Sequence, residues 1–273
     1  MNRYGPRTLA RELVMIAVTL VVAFPLYVLV NLSLRDPRDG TSIIMPTTSP
    51  TLRNYADAWR EAGLAGAIVN SVVVTVVSVA IIVVVAAMAA YPLARATARW
   101  SRWTFLLIML GLLLPFQLAL LPLYQLIRDL NLLGTVWSLV LFYSGLQVPF
   151  ATFLYLGFLR VVPREYEEAA LIDGARPVQV FWRVVFPLLR PVTGTVVILN
   201  AIFVWNDFLT PFLYLSGSDQ QTIPVAVFGF IGQYVSQWNL VFAGLVIAML
   251  PILIVYFLMQ RHIIKGFAGG LKG

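Results

Sequence analysis

The sequence predicts an all-α membrane protein, and three of its properties support that prediction. Of the 273 residues, 60% are hydrophobic and only 11% are charged, and the mean hydropathy is +0.87. A soluble domain carries roughly 45–50% apolar and about 25% charged residues, so the surplus apolar surface needs lipid around it. The apolar residues also fall into six long stretches, and the run Val72–Ala90 has none of the polar alternation of a membrane β-strand.

Each apolar stretch has about 20 residues or more, the length that crosses the ~30 Å hydrocarbon layer as a helix. The first follows three arginines and exceeds the roughly 7–15 residues of a signal-peptide core, so we interpret it as a retained span. All of residues 1–273 are therefore predicted to form a single transmembrane domain. Its predicted spans are 11–33, 66–93, 103–125, 134–159, 184–214 and 239–260.

The distribution of positive charge predicts that both termini are cytoplasmic. In that orientation the outer segments hold only five of the 19 Lys and Arg residues, while the other 14 lie on the cytoplasmic side, where such residues concentrate. The same bias accounts for the net charge of +7 without a nucleic-acid partner. The five outer residues are Arg35, Arg38, Arg53, Arg60 and Arg128.

The loops outside the predicted spans differ in character. The predicted outer loops are 34–65 and 215–238, and the predicted cytoplasmic tail is 261–273. Within the first outer loop, apolar residues recur at helical spacing and predict a short amphipathic helix on the membrane surface. Those residues are Leu52, Tyr55, Ala56 and Trp59.

Several classes of enzyme are excluded by what the sequence lacks. With no cysteine and one histidine, neither a disulfide framework nor a zinc site of His and Cys ligands can form. The chain also lacks H-E-x-x-H, G-x-S-x-G and any Gly-Lys pair, the last of which a P-loop requires. We therefore expect no catalytic residue, no bound metal and no ATPase site on this chain.

The predicted cytoplasmic loop between the fourth and fifth spans is the most charged part of the chain. Pro163 suits a first helical position. Three acidic residues follow it in the first turns, where the helix dipole favours negative charge. They are Glu165, Glu167 and Glu168.

This first short helix is followed by signals for a second. Asp173-Gly174 predicts a stop, because glycine readily adopts the left-handed conformation of a helix C-terminus, and Pro177 starts the next helix. The result is a predicted two-helix knob over 163–183, with Phe181 and Trp182 as aromatic anchors for another protein. A solvated helix–turn–helix is the simpler interpretation of the pattern alone.

The knob also carries a pattern that resembles the EAA loop of ABC importer permeases. That family's pattern is E-A-A-x-x-D-G-A-x8-I-x-L-P. This chain has Glu168-Ala169-Ala170-Leu171-Ile172-Asp173-Gly174-Ala175, then eight residues, then Val184-Val185-Phe186-Pro187. It departs from the family only at Val184 and Phe186, where one apolar residue replaces another. The chain thus resembles a binding-protein-dependent permease of the MalG-like, carbohydrate-uptake type.

The resemblance implies a type I ABC importer permease fold with six transmembrane helices. In that family the loop forms coupling helices that dock in a cleft of the ATPase. Carried over, Glu168 would meet a basic group on the ATPase, and small side chains would permit a close fit. The implied coupling residues are Glu168, Ala169, Ala170, Asp173, Gly174 and Pro187.

Two further segments resemble MalG-type sugar permeases. The run Phe203–Phe208 resembles their fifth span, and Gly266–Gly273 resembles a tail that reaches into the ATPase dimer interface. A frayed glycine-rich end is the simpler interpretation of that tail. The candidate ATPase contacts in the tail are Gly269, Gly270, Lys272 and Gly273.

One acidic residue, Asp207, lies well inside a predicted span. A lone charge there costs roughly 2.5–3.5 kcal/mol on insertion scales, so it should face a partner or a watery cavity. With Trp205 and Asn206 beside it, Asp207 is a candidate for lining a translocation pathway for sugar. The alternative is that Asn206 and Asp207 join two helices or cap a broken one, because Pro211 follows closely.

The resemblance implies the permease subunit of an ATP-driven importer for a sugar or oligosaccharide, forming half of the pathway. Its partners would be a second, MalF-like permease, two MalK-like ATPase subunits that bind ATP and Mg, an extracytoplasmic solute-binding protein and the lipids of the cell membrane. Two alternatives stay open. One is an importer of a non-sugar solute such as glycerol phosphate, and the other is an uncoupled channel or scaffold, which would not need the EAA loop.

Overall fold

The computed structural model describes residues 6–113, 115–231 and 237–270, with side chains described from Thr8 to Leu258 within those ranges. Over the described residues the chain consists of helices joined by turns and loops, with no β-sheet. The prediction of an all-α fold is therefore confirmed.

Four of the described helices are long and apolar enough to cross a membrane alone. They are α1 (Pro6–Ser33), α3 (Leu64–Arg95), α6 (Val136–Leu159) and α12 (Trp238–Gly270). The shorter helices are α2 (Arg53–Glu61), α4 (Arg99–Leu113), α5 (Leu120–Asp129), α7 (Glu165–Ile172), α8 (Pro177–Leu188), α9 (Arg190–Asn206), α10 (Leu209–Tyr214) and α11 (Ile223–Phe228).

The third and fifth predicted spans are bent in the structure. Where the sequence predicts one span over 103–125, α4 and the segment Phe116–Asp129 meet at 87°. Pro115 lies in the break with an extended backbone, which fits a residue that has no N–H for a helical hydrogen bond. In the fifth, α8 and α9 meet at 74°. If each bent pair is one span, the described chain has up to six spans.

The helices group into two compact units. The first unit comprises Met1–Ala67 and Ile223–Pro251, and the second comprises Ile68–Thr222 and Ile252–Gly273. In the first unit, α2 confirms the short helix predicted near residues 52–59. Its buried side carries polar Asn54 and small Ala58, while Trp59 is largely exposed.

Asn54 joins three parts of the first unit. Its side chain is 3% exposed and donates to the carbonyls of Ser33 (2.9 Å) and Arg35 (2.8 Å), at the end of α1. Its Oδ1 accepts from Asn239 Nδ2 on α12 (2.8 Å). Because each donor and acceptor named here is paired, burying this amide carries little desolvation penalty.

The described residues of the second unit form two apolar cores that support the candidate site residues. One lies among α3, α6, α8 and α9, and its alanines allow these helices to approach closely, as small residues do in membrane proteins. The other is aromatic and includes Phe142, Tyr143 and Tyr214, with the Phe142 and Tyr214 rings edge to face at 5.6 Å. The fully buried alanines of the first core are Ala86, Ala87, Ala90 and Ala151.

Candidate functional site

The predicted two-helix knob is present as α7 and α8. α7 begins at Glu165, with Arg164 at the N-cap, so Pro163 precedes the helix and is not its first residue. The three predicted acidic residues do fill the first turn. Their negative charge interacts favourably with the unpaired N–H groups at this helix end.

α7 ends at the predicted Asp173-Gly174 stop, where the chain reverses direction. Gly174 has a φ of +84°, in the left-handed region. The Ala175 N–H donates to the Ala170 carbonyl and the Gly174 N–H to the Leu171 carbonyl, both at 3.0 Å, which is the Schellman pairing. Ala170 and Ala175 also pack against the first core, so the turn fixes the knob on the second unit.

Replacing Gly174 by alanine is expected to weaken this turn. A Cβ there would meet no heavy atom within 4 Å, so its cost is conformational, about 1–2 kcal/mol for a left-handed residue. We expect a roughly 5–30-fold loss of hydrogen-exchange protection in α7. Gly157→Ala is the matched control: it lies in α6, also has open space and has no positive φ, so protection there should not fall.

α8 starts at Pro177, as predicted, and the Arg176 N–H donates to Gln179 Oε1 (2.8 Å). The helix then contains a π-helical stretch, Phe181–Val185. Phe181 is only 6% exposed and contacts the Tyr91 ring of α3 at 5.5 Å, so the prediction that it anchors another protein is wrong. Trp182 stays largely exposed.

The predicted coupling residues divide by exposure. Glu168, Ala169, Asp173 and Gly174 are exposed on the knob, whereas Ala170 and Pro187 are half-buried. The sequence predicts an apolar end of the knob and names Trp182 for it, but sequence reasoning missed Ile172, which is 85% exposed. The other exposed apolar residues that it missed are Tyr166, Leu171 and Val178.

A buried ion pair attaches the knob to α3. Glu167 is 7% exposed, and its Oε1 accepts from Arg95 Nε (2.8 Å) and Nη2 (2.6 Å). Its other oxygen, Oε2, accepts from the Tyr91 hydroxyl (3.0 Å). Sequence reasoning missed this site, because Arg95 and Glu167 are 72 residues apart.

Arg95 also connects the knob to α6. Its two terminal nitrogens donate to the carbonyls of Leu159 and Val162, each at 3.1 Å, and Arg164 Nη2 donates to the Arg95 carbonyl (3.0 Å). One guanidinium thus holds the end of α3, the end of α6 and the start of α7. These contacts link α7 directly to two long helices.

Asp207 lies where α9 ends, with its own backbone extended. Its Oδ2 accepts from the Tyr143 hydroxyl on α6 (2.9 Å), and its Oδ1 accepts from the Leu209 N–H at the start of α10 (3.1 Å). The half-buried carboxylate therefore joins α6, α9 and α10. This geometry matches the capping alternative and leaves part of the carboxylate accessible.

The two residues before Asp207 lie in different surroundings. Trp205 is buried within the second unit. Asn206 is exposed and donates from its own side chain to the Ile202 carbonyl one turn earlier (2.8 Å). Of the predicted pathway residues, Asn206 and Asp207 are thus the ones with accessible polar groups.

The predicted tail contacts fall partly outside the described residues. Gly269 and Gly270 form the end of α12, while Lys272 and Gly273 lie beyond the described range. Within the described part of the chain, no group of three His, Cys, Asp or Glu side chains could hold a metal ion.

Four to six helical spans over the described residues, with the two-helix knob between them, define a membrane protein, and comparison with known families gives its class. The chain belongs to the binding-protein-dependent transport system inner membrane components, whose family model matches residues 82–269. It is therefore an inner-membrane transport subunit and not an enzyme. The resemblance inferred from the EAA loop is confirmed.

The chain is similar to several sugar permeases. It is 32% identical over 251 residues to the melibiose/raffinose/stachyose import permease protein MelC of Bacillus subtilis, covering 91% of each chain. It is 33% identical over 256 residues to the multiple sugar-binding transport system permease protein MsmG of Streptococcus mutans, covering 92% of each.

A solved structure has the same fold. It is a bacterial ABC transporter involved in the import of the acidic polysaccharide alginate, with a TM-score of 0.82 and 19% sequence identity. The match covers 96% of this chain and 99% of that chain. The prediction of an ABC importer permease fold is thereby confirmed.

Proposed function

We propose that this chain is the permease subunit of an ATP-driven importer for a sugar or oligosaccharide and that it forms half of the translocation pathway. Family membership and the sugar permeases among its relatives support the substrate class. The observation that carries the coupling role is the knob, which has an exposed acidic and apolar surface and a rigid attachment to α3 and α6.

The proposed partner at the knob is the ATPase. Glu168 pairs with a basic group on it, and exposed Ile172 and Trp182 provide the apolar contact. ATP and Mg bind to two copies of that ATPase. The remaining partners are a second permease, which completes the pathway, and a solute-binding protein outside the membrane.

The proposed orientation places the knob and both termini in the cytoplasm, in agreement with the positive-inside rule. Closure of the ATPase pair on ATP then pushes on α7, and the Arg95–Glu167 pair carries that displacement to α3 and α6. Transport follows as a shift between two states of the spans, which both ATP and substrate bias. The tail residues Gly269, Gly270, Lys272 and Gly273 would add a second ATPase contact.

The proposed pathway role of Asp207 predicts that Asp207→Asn impairs transport without impairing assembly. Asparagine can still accept from the Leu209 N–H and accept or donate at Tyr143, so the helix cap is kept while the charge is lost. A lost charged hydrogen bond to substrate costs about 1.5–3 kcal/mol, or roughly 10–100-fold in affinity. The measurement is the concentration dependence of uptake in reconstituted vesicles.

A second substitution, Asp207→Ala, distinguishes the proposed pathway role of Asp207 from its role as a helix cap. It removes the cap as well as the charge, so it should lower both assembly and uptake. If Asp207→Asn has normal uptake kinetics and only Asp207→Ala is impaired, Asp207 is a cap and not part of the pathway.

The proposed function is tested by expressing the chain with its two ATPase copies, second permease and solute-binding protein in vesicles. We expect ATP-dependent uptake of a labelled oligosaccharide such as raffinose, and co-purification of the ATPase with this chain. Uptake of glycerol phosphate in place of sugars would contradict the substrate class. Solute flux without ATP, and purification without the ATPase, would identify an uncoupled channel.

A further inference from the structure

The loop after α1 folds back onto the helix it has just left. In the segment Thr41–Met45, the Ile44 carbonyl accepts from Tyr27 Oη (3.0 Å), and the carbonyls on either side of it accept from Asn31 Nδ2 (3.2 and 2.9 Å). Because an α-helix rises 1.5 Å per residue, Tyr27 lies about 9 Å before Ser33 along α1. The loop therefore lies beside the last turns of α1 and does not extend beyond them.

The backbone carbonyls of this segment are all paired, mainly with side-chain donors. Arg35, which is buried, donates to the carbonyls of Thr41 (2.8 Å), Ser42 (2.9 Å) and Met45 (2.8 Å). Together with the Tyr27 and Asn31 bonds, all five consecutive carbonyls have an internal donor. A loop in water needs no such donors, whereas internal pairing of these five carbonyls lowers the cost of placing the segment against lipid.

In contrast to its polar backbone, this segment carries exposed apolar side chains. Ile43, Ile44 and Met45 are between 58% and 62% exposed, and we call these three residues the apolar tip. The tip lies beside the exposed face of α1, where Phe24, Tyr27 and Val30 are between 40% and 47% exposed. It therefore continues the exposed apolar surface of α1.

We propose that the apolar tip inserts into the bilayer leaflet that surrounds the Ser33 end of α1. The span Thr8–Ser33 has 26 residues, about 39 Å of helix, against a hydrocarbon layer of ~30 Å. Tyr27 is then at the membrane interface, where tyrosine is enriched, and Ile44 lies at that level. In the orientation proposed above this is the outer leaflet, but the insertion itself does not depend on the transport function.

Hydrogen bonds to the Asp39 carboxylate hold the base of the loop together. Asp39 accepts from Thr41 N (3.0 Å), Thr47 Oγ1 (2.7 Å) and Thr48 N (3.1 Å), and hydrogen bonds from Thr41, Thr47 and Thr48 lower the pKa of Asp39. Because the pKa is lowered in the folded state, the ionised Asp39 stabilises the loop fully at any pH above the ordinary Asp pKa of about 3.9. That stabilisation is lost only as the pH falls below this value. The tip should therefore hold the same position at pH 5.5 and pH 7.5.

The test is a membrane-depth measurement on single cysteines, since the natural chain has no cysteine. Ile44→Cys and, independently, Met45→Cys are spin-labelled in the assembled complex in vesicles, without the solute-binding protein. We expect both labels to relax more with oxygen, which concentrates in lipid, than with a water-soluble nickel chelate. Val21→Cys on exposed α1 is the lipid control, and exposed Arg38→Cys in the same loop is the water control.

Two outcomes overturn the proposal. If the labels at the apolar tip respond to the nickel chelate as Arg38→Cys does, the tip is in water. If they respond to neither reagent, a protein partner covers the tip. A shift in depth between pH 5.5 and pH 7.5 would contradict the role given to Asp39.

Discussion

Glu168→Lys is expected to abolish ATP-driven uptake while the subunit still inserts into the membrane. Glu168 is exposed in the first turn of α7, and within its own chain the substitution removes its interaction with the helix N-terminus, worth about 0.3–1 kcal/mol, which Glu165→Lys removes as well. Replacing it by lysine sets two positive charges against each other at the proposed ATPase contact. Truncating one partner of a close interfacial charge pair costs about 2–5 kcal/mol, or roughly 30- to several-thousand-fold in affinity.

Glu165→Lys is the matched control for this prediction. It makes the same change of charge at an exposed position on the same helix, three residues earlier. We expect Glu165→Lys to have much the smaller effect on uptake and on ATPase stimulation. Normal uptake with normal ATPase stimulation in Glu168→Lys would show that Glu168 does not dock on the ATPase.

Glu167→Ala is expected to uncouple ATP hydrolysis from transport. The substitution leaves the Arg95 guanidinium, whose side chain is 15% exposed, without its carboxylate. Breaking a buried ion pair in this way lowers stability by about 3–5 kcal/mol. Because Arg95 keeps its two carbonyl acceptors, we expect a loss at the low end of that range. We expect the ATPase to bind and hydrolyse ATP while uptake falls by tenfold or more.

A second variant separates force transmission from simple unfolding. Glu167→Gln keeps acceptor and donor groups for Arg95 and Tyr91 but loses the charge, so it should retain part of the coupling. The measurement is the ratio of solute transported to ATP hydrolysed in reconstituted vesicles. A wild-type ratio in Glu167→Ala would mean that the Arg95–Glu167 pair does not carry the displacement of α7.

Much of this architecture is predictable from local sequence. The long spans follow from apolar length alone, and the knob follows from the Asp-Gly stop of α7 and the proline start of α8. Gly174 is the clearest example, because its left-handed backbone is a local requirement that the residue type reveals. Such features depend on residues close together in the chain.

The missed features depend on residues far apart. Arg95 was already explained by the positive-inside rule, and only the packing of α7 on α3 brings Glu167 to it. Phe181 resembles an interface anchor in sequence, but Tyr91 from α3 buries it. The internal donors of the loop after α1 were likewise hidden, because Arg35 in a polar segment suggests a solvated charge.

The breaks in the third and fifth spans could not be predicted from the sequence. Both predicted spans are apolar and long enough, so composition cannot distinguish a straight span from two helices that meet at a large angle. Pro115 marks the first break, but Pro149 lies inside a continuous α6. A proline therefore permits a break, and tertiary packing determines whether it occurs.

Site-specific cross-linking measures whether the knob receives ATP-driven displacement from the ATPase. Ile172→Cys is introduced into the natural cysteine-free chain in the assembled complex, and a short photoreactive thiol reagent is attached. Leu130→Cys is the control, since it is also exposed but precedes α6, whereas the knob follows α6. We predict that Ile172→Cys cross-links to the ATPase, with a yield that changes on adding ATP, and that Leu130→Cys does not. An intact complex in which Ile172→Cys gives no ATPase cross-link would show that the knob does not contact the ATPase.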